Sequence, residues 1–404
     1  MVTEQFELQA GSDPGNTRVK ISYMDKSGNI CSFSIPTVVA PANAIGDPLR
    51  KESKEILNTD RLHVYIQSKS LSSTYFYVGD FARDKDKMAE PSGGYKSSSE
   101  LHLVAQLTAL AVAAAELGEY HVNHSYAGGL PIEEFKEVDI EEFLAGITGE
   151  HVVEFLDGVF LGKKVVINIT GGQVNIEGAT TSLSLTNNIK DGKLVELPKA
   201  ETFDESEYVI GDLGAGTLDA ALFGRDGLNG VNSTNWPIGT NSYIDAMLRE
   251  INEIPEFQAA REFLKENHMN VTSPYSNREQ FLNQVVVPEV EKMLKDKKKN
   301  YEPKFLVSWA RVRNVDVTKI VLAHMKNYFD EVNRQLNLFS YTKAANVENF
   351  YLVGGGVLFA YYYFRKVDFF QLPDDEVIAE AQYFTSRAYL INSFIEKLTE
   401  AAMA

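Results

Sequence analysis

Gly211-Asp212-Leu213-Gly214-Ala215-Gly216-Thr217 is the stretch of sequence that decides the fold. A second aspartate-glycine stretch, Asp13-Pro14-Gly15-Asn16-Thr17, lies near the start of the chain. Strand-like runs flank both stretches, at residues 6–10 and 19–23 around the earlier one and at residues 208–210 and 218–223 around the later one. The order of strand, tight turn and strand therefore occurs twice, and the sequence predicts two similar halves.

The residue types in these two turns suit a phosphate site. Glycine lets the backbone approach a ligand closely, so that successive N–H groups can point at phosphate oxygens. A carboxylate beside a polyphosphate repels it unless a hard cation lies between them, and Mg²⁺ is usually held by one or two carboxylates together with phosphates. Asp13 and Asp212 are therefore predicted as metal ligands, and Lys20 as a positive charge for the phosphates. An ordinary hairpin turn is the alternative for either stretch alone.

A third glycine cluster, Gly354-Gly355-Gly356, follows the strand-like residues 350–353. A helix N-terminus behind glycines accommodates an anion or a closely packed base. A plain strand-to-helix turn is the alternative. Together with the two aspartate turns, the cluster outlines one nucleotide site.

Taken in order, these motifs resemble a known family. Residues 13–20, 212–217 and 352–356 resemble the phosphate-one, phosphate-two and adenosine motifs of the actin superfamily, and the resemblance spans nearly the whole chain. Leu130-Pro131-Ile132-Glu133-Glu134-Phe135 resembles the connecting segment of the ParM-type bacterial actins that segregate plasmids. Residues 77–82 resemble a further segment of the same group.

The resemblance implies an α/β actin-like fold of two related, ribonuclease H-like domains, each with an inserted small subdomain, and a nucleotide in the cleft between them. It implies ATP, or GTP, with Mg²⁺ as cofactors. It also implies a set of nucleotide contacts: Gly15, Asn16, Thr17, Lys20, Gly214, Ala215, Gly216, Thr217, Gly354, Gly355, Gly356, Val357, Leu358 and Phe359. Pro14 and Asn16 differ from the residues that are common at these positions in the wider superfamily, so a direct contact between Thr17 and phosphate stays open.

Glu134 is the predicted catalytic residue. Matching the connecting segment residue by residue places the family's glutamate there, where a carboxylate can orient or deprotonate the attacking water. Glu133 is the adjacent alternative, and the two glutamates could also be only the acidic first turn of a helix. His121 and His124 have a spacing that suits metal binding, but no third ligand accompanies them and a structural role is favoured.

Three function classes are compatible with these motifs. The first is an ATPase that polymerises with ATP and Mg²⁺ into dynamic filaments and segregates plasmid DNA through a ParR-like adaptor on a centromere-like site. The second is a monomeric sugar or acetate kinase of the same superfamily, for which the sequence shows no acceptor-substrate motif. The third is a chaperone of the seventy-kilodalton heat-shock class, which needs a further β-rich domain that we do not expect after residue 404.

Composition favours a cytoplasmic protein that contacts neither DNA nor a membrane directly. The net charge of −17 repels a nucleic-acid duplex, because each neutralised phosphate needs a Lys or Arg. The single cysteine, Cys31, suits a reducing compartment, and no signal peptide is expected. Residues 101–117 are apolar but are interrupted by His102 and Gln106, which predicts a buried helix rather than a membrane span.

The length of 404 residues predicts two domains of about 200 residues each. The first is expected at residues 1–205, with an inserted subdomain at 36–98 and the C-terminal helix, 385–404, packed back on it. The second is expected at residues 206–384, with a helical insertion at 243–312.

Individual elements are predicted as well. The helix at residues 101–117 is expected to begin at a capping box formed by Ser97 and Glu100, and to end at Gly118. Further helices are predicted at residues 140–144, 317–336 and 375–398, and strands at residues 164–170, 173–177, 182–185 and 350–353.

Overall fold

A computed structural model of the chain describes residues 5–45, 59–72, 74–83, 85, 87–91, 94–203, 207–224, 227–269, 273–275, 277–296, 300–375 and 377–403. The chain divides into two compact units. The first comprises Met1–Ala200 with Tyr383–Ala404, and the second comprises Glu201–Gln382. Parts of both predicted insertions, residues 46–58 and 270–272 among them, lie outside the described residues.

The first unit mixes strands and helices. Its strands are β1 (Phe6–Glu7), β2 (Ala10–Pro14), β3 (Arg18–Met24), β4 (Ile30–Pro36), β5 (Val39–Pro41), β6 (Arg61–Gln67), β7 (Tyr75–Gly79), β8 (His121–Leu130), β9 (Gly149–Phe155), β10 (Lys164–Ile176), β11 (Asn187–Lys190) and β12 (Lys193–Glu196). Its helices up to residue 200 are α1 (Asp80–Arg83), α2 (Glu100–Glu116), α3 (Ile132–Glu137), α4 (Ile140–Ile147) and α5 (Ser182–Thr186).

The second unit is also mixed. Its strands are β13 (Tyr208–Leu213), β14 (Leu218–Gly224), β15 (Gly227–Leu228), β16 (Thr234–Trp236), β17 (Leu306–Trp309), β18 (Val312–Asp316), β19 (Asn349–Val353) and β20 (Phe370–Gln371). Its helices are α6 (Thr240–Asn252), α7 (Gln258–Glu266), α8 (Arg278–Phe281), α9 (Val287–Lys295), α10 (Thr318–Lys343), α11 (Gly355–Phe359) and α12 (Tyr361–Phe364).

In the first unit, the sheet extends in both directions from β2. The antiparallel partner β3 lies on one side with β4 beyond it, and the parallel strand β8 lies on the other side. From β8 the order continues through β10, β9, β6, β7 and β5. The last three strands fall in the predicted insertion, residues 36–98, and Val64 and Phe76 belong to the same apolar core as the rest of the unit. The described part of that region is therefore continuous with the main sheet.

In the second unit, β13 has the same kinds of neighbours as β2 has in the first. It pairs with β14 in antiparallel and with β19 in parallel orientation, and the sheet order is β15, β14, β13, β19, β20. One buried face of α10, which includes Met325, Tyr328 and Leu336, belongs to the core of this unit. The two predicted hairpins are confirmed, and each unit is built around one of them.

The last helix of the chain, α13 (Phe384–Met403), belongs to the first unit. It packs against β2 so closely that a Cβ on Gly11 would lie 2.1 Å from the carbonyl oxygen of Ser386. The hydroxyls of Ser386 and Ser22 are 2.8 Å apart in the same contact. A residue without a side chain is therefore needed at Gly11, because backbone fills the space.

Several predicted elements are confirmed. The helix predicted at residues 101–117 is α2, and it ends at Glu116, two residues before Gly118. The acidic helix at residues 140–144 is the start of α4, and the strand at residues 350–353 is part of β19.

The predicted capping box is wrong. Ser97 lies in a 3₁₀ turn, Lys96–Ser98, and Ser99 caps α2 instead, because its hydroxyl accepts the N–H of His102 at 3.4 Å. The main chain before the helix is committed elsewhere, since the N–H groups of Lys96 and Ser97 bond to the side chain of Glu134.

The strand predicted at residues 182–185 is also wrong, because these residues begin helix α5. The hydroxyl of Ser184 donates to the carbonyl of Phe384 at 2.7 Å, and Leu185 is buried. An alternation of serine and leucine over four residues is too short to separate a strand from a helical turn. The contact with α13 decides the outcome.

Other boundaries differ from the predictions. The two strands predicted at residues 164–170 and 173–177 form the single strand β10, with a register irregularity between Ile169 and Gly172. Helix α10 is longer than predicted, and α13 begins at Phe384 after a 3₁₀ segment rather than at residue 375. The helical insertion at residues 243–312 ends in a hairpin of β17 and β18, which the sequence pattern did not reveal.

None of the described helices combines the length and the apolar character that crossing a membrane requires.

We expect Gly11→Ala to lower the free energy of unfolding of the first unit by about 1–3 kcal/mol, because the added methyl group meets the backbone of α13. Urea denaturation followed by circular dichroism measures the change. Gly146→Ala is the matched control, since nothing lies within 4 Å of a Cβ at this helical position, and alanine favours a helix by about 1 kcal/mol over glycine. A Gly11→Ala protein as stable as the wild type would contradict the packing of α13 on β2.

Candidate functional site

Asp13 lies inside β2, where it faces Lys20 of β3 across the antiparallel ladder. The Nζ atom of Lys20 is 3.1 Å from Oδ2 of Asp13, and Asp13 is only 6% exposed. The pairing follows from the sequence, because a short turn between two strands places these residues opposite one another. The structure therefore brings the predicted metal ligand and the predicted phosphate charge together.

The charge of Asp13 is stabilised by nearby cations. Burial by itself raises the pKa of this carboxyl group, but the ammonium groups of Lys20 and Lys96 and the hydrogen bond from Lys20 outweigh it and hold the pKa below its ordinary value. Asp13 is therefore an anion at neutral pH. An ionised carboxylate suits a Mg²⁺ ion, which is usually bound by one or two carboxylates together with phosphates.

The turn after Asp13 is held by backbone and by one threonine. The N–H of Gly15 donates to the carbonyl of Asp13 at 2.9 Å. Thr37, just after β4, donates its hydroxyl to the carbonyl of Gly15 at 2.7 Å and its N–H to the carbonyl of Thr17 at 2.9 Å. Thr37 was not predicted, because nothing in its sequence surroundings marks a contact with a turn twenty residues earlier.

Asn16 contacts a buried histidine. Its Oδ1 atom is 3.2 Å from Nε2 of His102, on the first turn of α2. Burial and the charge of Lys96 lower the pKa of His102 to about 4, so the imidazole is neutral at pH 7. The other ring nitrogen, Nδ1, is buried without a hydrogen-bond partner in the described structure. From the sequence, His102 was interpreted only as a polar interruption in an apolar helix.

Glu134 is buried in the first turn of α3 and both of its carboxylate oxygens accept backbone hydrogen bonds. The N–H of Ser97 donates to Oε1 at 2.7 Å and the N–H of Lys96 donates to Oε2 at 3.0 Å. Glu133 beside it is exposed and pairs with Lys136. The two glutamates therefore differ, since Glu134 is fixed in one orientation and Glu133 faces solvent.

The second hairpin presents Asp212 near the end of β13, opposite Asp219 of β14. The turn between them is closed by a hydrogen bond from the N–H of Gly214 to the carbonyl of Thr217 at 2.9 Å. The hydroxyl of Thr217 donates to Oδ2 of Asp219 at 2.8 Å. Gly216 and Thr217 are exposed, so the turn is open to a ligand.

The same turn rests on the N-terminus of α6. The N–H of Asn241 donates to the carbonyl of Ala215 at 2.9 Å, and the N–H of Thr240 donates to that of Gly214 at 3.3 Å. Gly239 permits this approach, because a Cβ there would lie 2.2 Å from the carbonyl oxygen of Ala215. The first free N–H groups of the helix thereby fix the turn.

The third glycine cluster lies against Asp212. Gly354 has a φ of 89°, and a Cβ at this position would lie 2.4 Å from Oδ1 of Asp212 and 2.6 Å from the carbonyl oxygen of Leu213. This conformation and this proximity both exclude a side chain. The structure therefore brings together the predicted metal ligand of the second unit and the start of the predicted adenosine motif.

Gly356, the last glycine of the cluster, lies next to the core of the second unit. A Cβ on Gly356 would lie 2.2 Å from the hydroxyl of Tyr328, which is fully buried and has no hydrogen-bond partner in the described structure. Burial and the charge of Asp212 raise the pKa of Tyr328. Tyr328 was not predicted, because its position on α10 follows the ordinary spacing of a core residue.

The three residues predicted to pack near the adenine differ in accessibility. Val357 and Phe359 are buried, and the ring of Phe359 contacts that of Tyr328. Leu358 is partly exposed. Leu358 is therefore the side chain of the three that a ligand reaches most readily, and the adenine contact stays a prediction.

Metal binding at this site would rely on few carboxylates. Within the described residues, no group of three or more His, Cys, Asp and Glu side chains is placed to hold a metal ion. His124 is buried with Nδ1 at 3.0 Å from the carbonyl of Leu8, while His121 is exposed. Asp13 in the first unit and Asp212 in the second each offer a carboxylate of the kind that Mg²⁺ binds together with phosphate and water.

The comparisons with known proteins agree with this geometry. A family model described as the N-terminal domain of actin-like proteins matches residues 11–179. No curated protein sequence matches the chain. Among solved structures, ParM of Bacillus thuringiensis with ATP is 38% identical, with 98% of this chain and 100% of that chain covered and a TM-score of 0.80.

Two further structures extend the comparison. The same Bacillus thuringiensis ParM with AMPPNP is 37% identical over 97% of this chain and 100% of that chain, with a TM-score of 0.79. The actin-like protein Alp7A shares the fold, with 18% identity, 98% of each chain covered and a TM-score of 0.65. This chain has the actin-like fold and belongs to the actin superfamily as a ParM-type protein.

Proposed function

We propose that this chain is an ATPase that polymerises with ATP and Mg²⁺ into dynamic filaments and moves plasmid DNA through an adaptor protein. The observation that carries the proposal is the pair of aspartate-glycine hairpins, one in each unit, with Gly354 against the second aspartate. Structures of the related Bacillus thuringiensis ParM contain ATP, ADP and AMPPNP.

The proposal assigns the phosphate contacts to backbone and to one lysine. In the first unit, the backbone around Asn16 and the ammonium of Lys20 would bind phosphate oxygens beside Gly15, while Asp13 would hold Mg²⁺. In the second unit, Gly214 to Thr217 would supply donors and Asp212 a second carboxylate. The metal ion neutralises phosphate charge when it is bound. With Mg²⁺ at Asp13, the ammonium of Lys20 would turn from that carboxylate towards a phosphate oxygen.

Glu134 is proposed to orient the attacking water. Two backbone N–H groups hold its carboxylate in place, so that the side chain does not have to be ordered during the reaction. Each carboxylate oxygen has a second lone pair for a water molecule. The base strength needed is modest, since positioning and charge neutralisation do most of the work in phosphoryl transfer.

The filament would convert nucleotide state into assembly state. A ligand shifts a conformational equilibrium only if it binds one conformation more tightly than the other. A γ-phosphate that both hairpins bind would favour the conformation in which both can reach it. We propose that ATP favours the conformation that polymerises and that loss of the γ-phosphate destabilises the filament. The preference for ATP or GTP depends on contacts with the base, and binding measurements with both nucleotides determine it.

The acidic charge of the chain makes an adaptor necessary for contact with DNA. With a net charge of −17, the chain repels DNA at long range, so that a basic DNA-binding partner of the ParR type would have to join filament and plasmid. Such a role belongs to the bacterial cytoplasm. A monomeric small-molecule kinase of the same superfamily is the alternative, and assembly separates the two.

We expect Asp13→Ala and Asp212→Ala each to lower Mg²⁺-dependent phosphate release from ATP by roughly a hundredfold or more, because each removes a carboxylate that would hold the metal ion. Phosphate release at fixed Mg²⁺ measures the effect. Asp330→Ala is the control, since this exposed aspartate pairs with Lys326 on the surface of α10. Hydrolysis near the wild-type rate in both variants would refute a site with two aspartates.

We expect Glu134→Gln to bind ATP and to polymerise, but to hydrolyse ATP about 100-fold more slowly than the wild type, because the amide cannot accept a proton. Its filaments should persist longer in a light-scattering assay. Glu133→Gln, which changes the exposed neighbour, should behave like the wild type. If Glu134→Gln hydrolyses normally and Glu133→Gln does not, the catalytic role moves to Glu133.

We expect the purified protein to pellet in an ultracentrifuge with Mg²⁺ and ATP or AMPPNP, and to return to the supernatant as ATP is converted to ADP. Moderate salt or divalent cations should promote assembly as long as they screen the repulsion between acidic subunits more than they weaken attractive ion pairs. A protein that stays monomeric in every nucleotide state, well above the concentrations plausible in a cell, favours the kinase instead.

A further inference from the structure

A cavity of about 520 Å³ lies in the first unit, where it is lined by the start of α2, by helix α4 and by Ser70 and Ser72 of the loop between β6 and β7. Gly146 contributes to the open space, since nothing lies within 4 Å of a Cβ at this position. Sites for small organic ligands commonly have volumes of about 300–1,000 Å³. The described lining includes none of the residues to which we assign metal, phosphate or the attacking water.

One part of the lining is apolar. Its side chains come from α2, from β8 and from the segment that leads into α4, and they are Leu103, Tyr126, Leu130, Val138, Phe143 and Ile147. Leu103, Val138 and Phe143 are only partly buried by the protein itself. An apolar group that enters the cavity would cover this surface, and burial of apolar surface favours binding.

The lining also carries an excess of negative charge. Glu100, Asp139 and Glu142 are exposed carboxylates of the lining, whereas its lysine, Lys96, is paired with Glu177 at 2.5 Å. Asp139 caps α4 through its Oδ1 atom. The side chain of Glu142 has no hydrogen bond or ion pair with any residue that the structure describes. Acidic residues are common in the first turn of a helix, so the carboxylates alone do not identify a ligand.

A buried acceptor in the same cavity is the second observation. Gln106 of α2 lines the cavity and is 6% exposed. Its Nε2 atom donates to the hydroxyl of Ser12 at 2.8 Å. Its Oε1 atom accepts no hydrogen bond from the described residues, and it is not sealed from solvent. Because a buried polar group without a partner costs free energy, Oε1 favours a hydrogen-bond donor that enters the cavity.

The loop between β6 and β7 closes one side of the cavity. The hydroxyl of Ser70 donates to the carbonyl of Gly146 at 2.6 Å, at the end of α4. The hydroxyl of Ser72 donates to Oε1 of Glu100 at 2.8 Å, at the start of α2. This loop belongs to the region predicted as an insertion, and its two hydrogen bonds attach it to both helices. A ligand in the cavity would fill the space behind these bonds.

We propose that this cavity binds a small organic cation, a primary amine with a short alkyl or aryl body. The body packs on the apolar lining, the carboxylates attract the ammonium group, and an N–H of the ligand donates to Oε1 of Gln106. Charge-assisted hydrogen bonds of this kind are stronger than those of a neutral group. The site is separate from the proposed nucleotide site, and its occupation would stabilise the attachment of the loop between β6 and β7.

Three probes of similar shape and different charge test the ligand class. In NMR titrations of the full chain without nucleotide, we expect phenethylamine to bind about tenfold more tightly than the neutral phenethyl alcohol, because its hydrogen bonds are charge-assisted. The anion phenylacetate should bind more weakly than either, since the lining is acidic. Equal binding of the amine and the alcohol overturns the proposal, and so does a wild-type protein that does not bind phenethylamine at millimolar concentration.

Variants of α4 test the place of binding. Glu142→Gln should weaken phenethylamine binding about fivefold or more and leave phenethyl alcohol unchanged, because it removes one carboxylate without changing the shape of the cavity. Glu141→Gln is the matched control, since Glu141 is an exposed neighbour on the same helix outside the described lining. Equal effects of these two variants overturn the proposal, because they would place the amine on the acidic surface in general.

Phe143→Trp tests the apolar part of the cavity. The larger ring takes up space in the cavity, so this variant should weaken both phenethylamine and phenethyl alcohol about fivefold or more. Unchanged binding in a folded Phe143→Trp protein overturns the proposal. If that variant does not fold, Glu142→Gln still decides, because it changes an exposed side chain. None of these measurements uses nucleotide, so their failure leaves the proposed ATPase function untouched.

Discussion

Keeping a buried carboxylate ionised is the constraint on which the proposed site depends. Asp13 is buried and negatively charged, and the two lysines near it keep it so in the absence of metal. Asp212 is partly exposed, and Gly354 lies so close to it that a Cβ there would be 2.4 Å from its Oδ1 atom. Each aspartate lies in a strand, β2 or β13, that pairs on both sides with other strands of its own unit.

Much of this arrangement could be predicted from sequence, because its determinants are local. A turn of fixed length sets the register that places Lys20 opposite Asp13, and the glycines of the three clusters mark backbone that approaches other groups. Helix α2 was equally predictable, from the apolar composition of residues 101–117 and from Gly118 after it. Resemblance to the actin superfamily supplied the order of the motifs and the choice of Glu134 over Glu133, which local pattern alone left open.

The remaining features depend on contacts between distant segments. Residues 182–185 read as a strand, yet their serine bonds to α13, two hundred residues later, and they form a helix. Ser97 could not be assigned correctly as a cap, because its N–H belongs to Glu134. Lys96 and Tyr328 carried no signal at all, since a loop lysine and a core tyrosine are common in any sequence. Their significance arises only from what the fold places beside them.

The position of α13 affects the order in which the molecule can be completed on the ribosome. This helix covers Gly11 of β2, so the first unit is built from both ends of the chain, whereas the second unit is one continuous segment. Synthesis proceeds from the N-terminus, and the second unit can therefore fold while the first still lacks its final helix. Until α13 has been made, Gly11 and the hydroxyl of Ser22 lack the contacts that Ser386 provides, and incompletely packed sheets are prone to association during folding. Closure of the first unit therefore waits for a segment that is made after the whole of the second unit.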